Sequence, residues 1–135
     1  ALGQKLNVGL AIIDKRRPAP GKSQVMNIIG NVKGKNCLLV DDIIDSGGTI
    51  VNAAKALKEK GAKDVYVYVT HGVLSGNAVE QINNSKIKKL ILTDTIDNSN
   101  KIKKSSKIVV LSISNLMAEA IKRISNSTSV SDLFK

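Results

Sequence analysis

The chain has almost nothing to stack with: no tryptophan, two tyrosines and one phenylalanine in 135 residues. A reader of single-stranded nucleic acid needs aromatic platforms beside its basic groove, so the formal net charge of +10 does not by itself argue for one. The lysines are scattered over 55–63, 86–89 and 101–107, as on a solvated surface, and their field would draw in polyanionic substrates. The single cysteine, Cys37, excludes an intramolecular disulfide and suits a reducing cytoplasm. The single histidine, His71, lacks spaced Cys or His partners and so is a poor metal candidate; a structural or nucleotide-edge role fits it better. No apolar run reaches membrane-spanning length, no secretory signal is present and no internal repeat appears, so one domain over residues 1–135 with no membrane association is expected. Nucleotide fingerprints are missing too. There is no G-x-G-x-x-G, and Gly21-Lys22-Ser23 fails the P-loop pattern because Arg16 stands where the first glycine belongs.

What is present is concentrated in one stretch, Val40-Asp41-Asp42-Ile43-Ile44-Asp45-Ser46-Gly47-Gly48-Thr49. Before it, Cys37-Leu38-Leu39-Val40 lacks polar alternation, as expected of a strand covered on both faces of a mostly parallel sheet. After it, Ile50, Ala53, Ala54 and Leu57 form one apolar helical face, and Gly61 follows Lys60 as a C-terminal cap. The stretch is therefore a strand-to-helix turn. In α/β sheets an anion placed there meets the N–H groups and positive dipole end of the helix. Gly47 and Gly48 allow close backbone approach, and Ser46 and Thr49 add hydroxyl donors for a phosphate monoester. Asp41 and Asp42 stand upstream, where they could accept hydrogen bonds from vicinal sugar hydroxyls or face a Mg²⁺ ion. The plainer alternative is a glycine-rich turn whose acids cap a helix.

A second cluster, Lys15-Arg16-Arg17-Pro18, places Lys15 and Arg17 on one side of an extended segment. Two converging cations suit a phosphoryl-type transfer, and the following Pro-Ala-Pro-Gly favours a mobile loop that closes over substrate. A solvated basic turn is the alternative. Elsewhere Val8 to Ile13, Val25 to Ile29, Val65 to Val69, Lys89 to Leu92 and Ile108 to Leu111 read as strands. Ile113, Leu116, Met117, Ala120, Ile121 and Ile124 follow helical spacing and are expected to pack on the sheet.

The Val40 to Thr49 stretch resembles the phosphoribosyl-pyrophosphate (PRPP) motif of type I phosphoribosyltransferase folds. Ile12 to Pro18 resembles the start of the catalytic loop of the class I ribose-phosphate pyrophosphokinases. Val25 to Asn31, Thr70 to Gly76 and Ser129 to Phe134 also look like that family's carboxyl-terminal half. The resemblance implies an α/β fold with a mostly parallel sheet flanked by helices, lacking its first strand and part of a helix. It implies that Lys15 is catalytic with Arg17 as partner, and that Asp41 and Asp42 hold ribose hydroxyls. Asp45, Ser46, Gly47, Gly48 and Thr49, with Arg17, would bind ribose 5-phosphate, while Ser129, Ser131 and Phe134 would line an allosteric phosphate or ADP site. The implied reaction passes the β,γ-diphosphoryl group of ATP to the 1-hydroxyl of ribose 5-phosphate, with Mg²⁺ held mainly outside this segment. Dimers assembled into hexamers are implied as well. The family's subunit is roughly twice as long, so an inactive fragment is expected. Ser46-Gly47 departs from the more usual Thr-Ala but keeps a hydroxyl and close approach. Two other readings remain: a PRPP-using phosphoribosyltransferase, for which no base-recognition hood is evident, and a noncatalytic regulatory paralogue, which would be expected to disrupt Lys15 or Arg17.

Overall fold

The computed structural model describes residues 2–16 and 25–134. Helix α1 (Leu2–Lys5) is followed by an antiparallel hairpin of β1 (Ile12–Arg16) and β2 (Val25–Ile29), with Lys15 opposite Met26. The main sheet is parallel, in the order β3 (Asn36–Ile44), β4 (Asp64–Gly72), β5 (Lys89–Thr93) and β6 (Ile108–Leu111). Its crossovers contain α2 (Gly48–Glu59), α3 (Ala78–Asn84) and α4 (Ser99–Ile102), and α5 (Ser114–Ser125) and a 3-10 turn (Ser131–Phe134) follow β6. This is the expected α/β architecture with a mostly parallel sheet and flanking helices.

Alternation along β4 shows where the core lies. Val65, Val67 and Val69 are fully buried and cluster with Ile50, Ala54 and Leu57 of α2, Ala78 and Ile82 of α3, and Leu90 and Leu92 of β5. Gly61 ends α2 as its sequence suggests: φ is +88°, a left-handed conformation that glycine adopts without a Cβ penalty. Its N–H and that of Lys60 bond back to the carbonyls of Lys58 and Ala56.

Two expectations about burial are corrected. The run Cys37 to Val40 is not covered on both faces: Leu38 is 49% and Val40 53% exposed. They share a face with their partners Tyr66 and Tyr68, continued by Ile91 and Val109, and no described helix closes over it. Leu39 and Cys37 turn instead toward the core as half-buried residues, and burial raises the Cys37 thiol pKa, with Lys35 partly opposing it. The second correction concerns α5, whose Leu116, Met117, Ile121 and Ile124 are exposed rather than packed on the sheet. Helical periodicity gives the direction of an apolar face but not what covers it.

The outer edge of β3 has no strand partner among the described residues. Two cavities, of about 620 and 700 Å³, run beside it between Leu38 and Leu39 on one side and residues 6–13 on the other. An unpaired apolar strand edge recruits other strands. Introducing Leu38→Lys and Val40→Lys together is expected to leave the fold intact, since both side chains are about half exposed, and to lower concentration-dependent self-association. Sedimentation velocity across a dilution series measures this, and equal association by the parent and the double variant would count against an edge-driven contact.

Candidate functional site

The β3–β4 pairing runs from Asn36↔Asp64 to Ile44↔Gly72 but passes over Asp42, whose N–H donates to the Asp41 carboxylate at 3.0 Å. Both acids are exposed at the carboxyl end of β3, and Ile44, two residues on, is buried in the core. The strand thus releases two carboxylates to solvent and is then pinned. Directly after it, Asp45 and Ser46 are exposed, Gly47 is buried, Gly48 is half-buried and Thr49 is exposed. The five consecutive residues predicted to hold a sugar phosphate make up the bend after β3 and the first two residues of α2.

Gly47 is the N-cap of α2, with φ +84° and ψ −13°, and its carbonyl accepts the Val51 N–H at 3.0 Å. Gly47 has no side chain with which to cap the helix, so its own contribution is through the backbone. The twelve-residue helix thus opens with N–H groups that lack intrahelical partners, next in sequence to Ser46 and Thr49, and N–H and hydroxyl donors are groups that can bind a phosphate monoester. Gly47 lies over Ala78, at the start of α3, and over Ile44.

A strap that sequence reasoning did not identify as a clamp fixes the loop from behind. Val73 and Leu74 donate their N–H groups to the Ile44 carbonyl at 2.9 and 3.3 Å, and Ser75 donates to the Asp45 carbonyl at 3.2 Å. These bonds come from the backbone, so no residue type signals them. Beside the strap, His71 Nδ1 lies 2.9 Å from Thr95 Oγ1, and the Thr93 and Thr95 hydroxyls both donate to the Thr70 carbonyl. His71 is thus tied to the ends of β4 and β5 while its ring remains exposed. The Ser112 hydroxyl and the Ile113 N–H hold Asp94 below the usual carboxylate range, joining the end of β5 to the segment leading into α5.

The backbone of Lys15 lies at the end of β1, and Arg17 falls outside the described residues. The hairpin nevertheless approaches the turn that opens α2. Ile13 of β1 and Met26 of β2 line the same cavity as Asp41 and Thr49, and β2 packs against α2. Ser129 and Ser131 lie in the tail, with their hydroxyl oxygens 2.9 Å from each other. Arg123 donates to the Ser129 carbonyl at 3.0 Å, Lys5 donates to the Phe134 carbonyl, and the Phe134 side chain is exposed. Among the described residues no group of three or more His, Cys, Asp or Glu side chains is placed to hold a metal ion. Likewise, no described helix is long and apolar enough to cross a membrane.

The chain is 56% identical over 133 residues to a ribose-phosphate pyrophosphokinase of Bradyrhizobium diazoefficiens, covering 98% of this chain and 42% of that protein. It is 61% identical over 125 residues to one of Hyphomonas neptunium, covering 93% of this chain and 40% of the other. A crystal structure of phosphoribosylpyrophosphate synthetase from Mycobacterium smegmatis superposes with a TM-score of 0.80 at 39% identity, over 93% of this chain and 40% of that one. The chain therefore spans about two fifths of the length of these relatives. With residues 5–135 matching the phosphoribosyl synthetase-associated domain, the chain belongs to that family.

Proposed function

We propose that this chain carries the ribose 5-phosphate side of a ribose-phosphate diphosphokinase site. The observation supporting this most directly is the buried, left-handed Gly47 that opens α2 between exposed Ser46 and Thr49, downstream of two exposed aspartates. The 5-phosphate is received by the N–H groups of residues 46–49 and the Ser46 and Thr49 hydroxyls. Asp41 and Asp42 accept hydrogen bonds from the ribose hydroxyls, with Asp45 bordering the phosphate. The anomeric hydroxyl oxygen then attacks the β-phosphorus of ATP and gives up its proton to solvent, the bond from that phosphorus to the α-phosphate oxygen breaks, and AMP leaves as PRPP forms. Lys15 and Arg17 neutralise charge on the phosphoryl oxygens.

Mg²⁺ would supply further charge neutralisation on the nucleotide. The acids described here do not complete a site for it, so its ligands would come mainly from substrate oxygens and from the remaining polypeptide. The same holds for most of the ATP pocket. Residues Ser129, Ser131 and Phe134 are proposed to contribute to a phosphate or ADP site between identical subunits of a dimer-based hexamer, in a cytoplasmic enzyme of nucleotide biosynthesis that acts on small molecules and neither nucleic acid nor membrane.

Titration of the ¹⁵N-labelled chain with ribose 5-phosphate tests the acceptor half directly. Shifts confined to the amides of residues 41–49 are expected, with Thr49→Ala weakening binding about tenfold through loss of one hydrogen bond to a charged group. No AMP should form when ATP is added to this chain alone. Saturable shifts elsewhere, or steady AMP release, would contradict the proposal; pyrophosphate release from PRPP and a nucleobase would favour a phosphoribosyltransferase instead.

A further inference from the structure

Asn98 is a polar side chain, 4% exposed, at the end of the segment linking β5 to α4. Its Nδ2 donates to the Gly72 carbonyl at 2.7 Å and approaches the Ile96 carbonyl at 3.2 Å, while its buried Oδ1 has no hydrogen-bond partner among the described residues. The reversed amide would press Oδ1 against two carbonyl oxygens, so the donor must face Gly72. Leaving a buried acceptor unmet is costly. What that cost secures is the start of the strap behind the phosphate turn.

Three residues after Asn98, Lys101 of α4 donates through Nζ to the Val73 carbonyl, next to Gly72, at 2.7 Å. Two donors from one short segment thus grip Gly72 and Val73, and the next N–H groups, those of Val73, Leu74 and Ser75, grip the carbonyls of Ile44 and Asp45. The strap has little freedom to relax. A Cβ on Gly72 would lie 2.8 Å from Leu92 Cδ1 and 3.2 Å from Asn98 Nδ2, and Leu74 is held buried at φ +51°.

We infer that Asn98 and Lys101 are positioning residues for the ribose 5-phosphate turn, acting through the Gly72–Ser75 strap on the Ile44 and Asp45 carbonyls. The identity of the ligand rests on the function proposed above; the mechanical link does not. Neither side chain contacts the ligand. Their removal lets the turn that begins at Asp45 drift, so the donors of residues 46–49 lose their convergence on phosphate.

The test uses the ¹⁵N-labelled chain and ribose 5-phosphate. Asn98→Ala is expected to move the amide resonances of residues 45–49 before any ligand is added and to weaken binding about tenfold, a scale reached by substitutions remote from a ligand. Lys101→Ala, at an exposed position less able to disturb folding, is expected to weaken binding about threefold, while Lys101→Arg keeps the donor and the affinity. Lys104→Ala removes a nearby exposed charge without touching the strap, and should leave affinity unchanged. Unaltered turn resonances in a folded Asn98→Ala protein would overturn the inference, as would equal weakening by Lys104→Ala and Lys101→Ala. If Asn98→Ala does not fold, the Lys101 pair decides. Should the parent chain fail to bind ribose 5-phosphate, the functional reading fails, yet the ligand-free resonances still report whether the anchor holds the turn.

Discussion

Replacing Lys15 by alanine in a full-length protein containing this chain is expected to slow AMP release from ATP and ribose 5-phosphate by about 10²–10³-fold, with little change in the KM for ribose 5-phosphate. Lys15 stands one residue before the end of β1, opposite Met26 on β2, so its backbone is held by the hairpin ladder rather than by a free loop. Ile13 and Met26 of the hairpin share a cavity with Asp41 and Thr49, and β2 packs on α2, the helix that the candidate turn opens. The hairpin therefore borders the cavity beside Asp41 and Thr49, and Arg17 lies outside the described residues. In this reaction negative charge shifts onto the oxygens of the transferred group and its leaving phosphate. A cation placed there acts on the transition state more than on the bound sugar, so kcat falls and KM does not. Arg17→Ala should behave similarly, and the double substitution should cost less than the product of the single effects if the two cations act on the same charge. A change confined to KM in coupled AMP assays would place Lys15 in substrate binding alone.

How much of this was visible in the sequence depended on whether side chains or backbone carried the feature. Ile50, Ala53, Ala54 and Leu57 specified α2 through their spacing, and all four are buried. Ile108 to Leu111 and Val25 to Ile29 form strands over the bounds read from apolar content. The predicted strand at Val8 to Ile13 begins later, at Ile12, and continues through Asp14 to Arg16, because its extent is set by pairing with β2 rather than by its own hydrophobicity. For the same reason β3 continues past Val40 through the acids, following β4 to Gly72. Coverage was the least legible property. Val40 and Val67 have the same side chain, yet one is half exposed and the other fully buried, and only the placement of α2 and α3 distinguishes them. The turn after β3 could be singled out as a candidate acceptor because aspartates, hydroxyls and glycines have chemistry of their own. Its clamp, formed by the N–H groups of Val73, Leu74 and Ser75, was hidden because every non-proline residue supplies that donor.

Gly47→Val should separate the two demands placed on that turn, and its effect on ligand binding is expected to be the second largest. A Cβ at position 47 would find ordinary contact distances, 3.9 Å to Ala78 and to Ile44, so overpacking is not the main objection. The objection is the backbone: at φ +84° a β-branched residue meets its own carbonyl and costs about 1–2 kcal/mol, or else φ leaves the left-handed region. If φ changes, the peptide planes on either side of Gly47 rotate, and the N–H groups that open α2 no longer point at one oxygen cluster. Misplacement of such donors by about 1 Å is enough to lose on the order of 10²-fold in a positioned phosphate interaction. Thermal unfolding of the valine variant should therefore shift down by only several degrees while ribose 5-phosphate affinity falls about a hundredfold. Asn tolerates the left-handed region, so Gly47→Asn should keep more of the turn than valine does and weaken binding only about tenfold. Parent-like affinity in Gly47→Asn would show that backbone conformation, without close approach, is all the site requires of Gly47; parent-like affinity in Gly47→Val would remove this turn from the binding site.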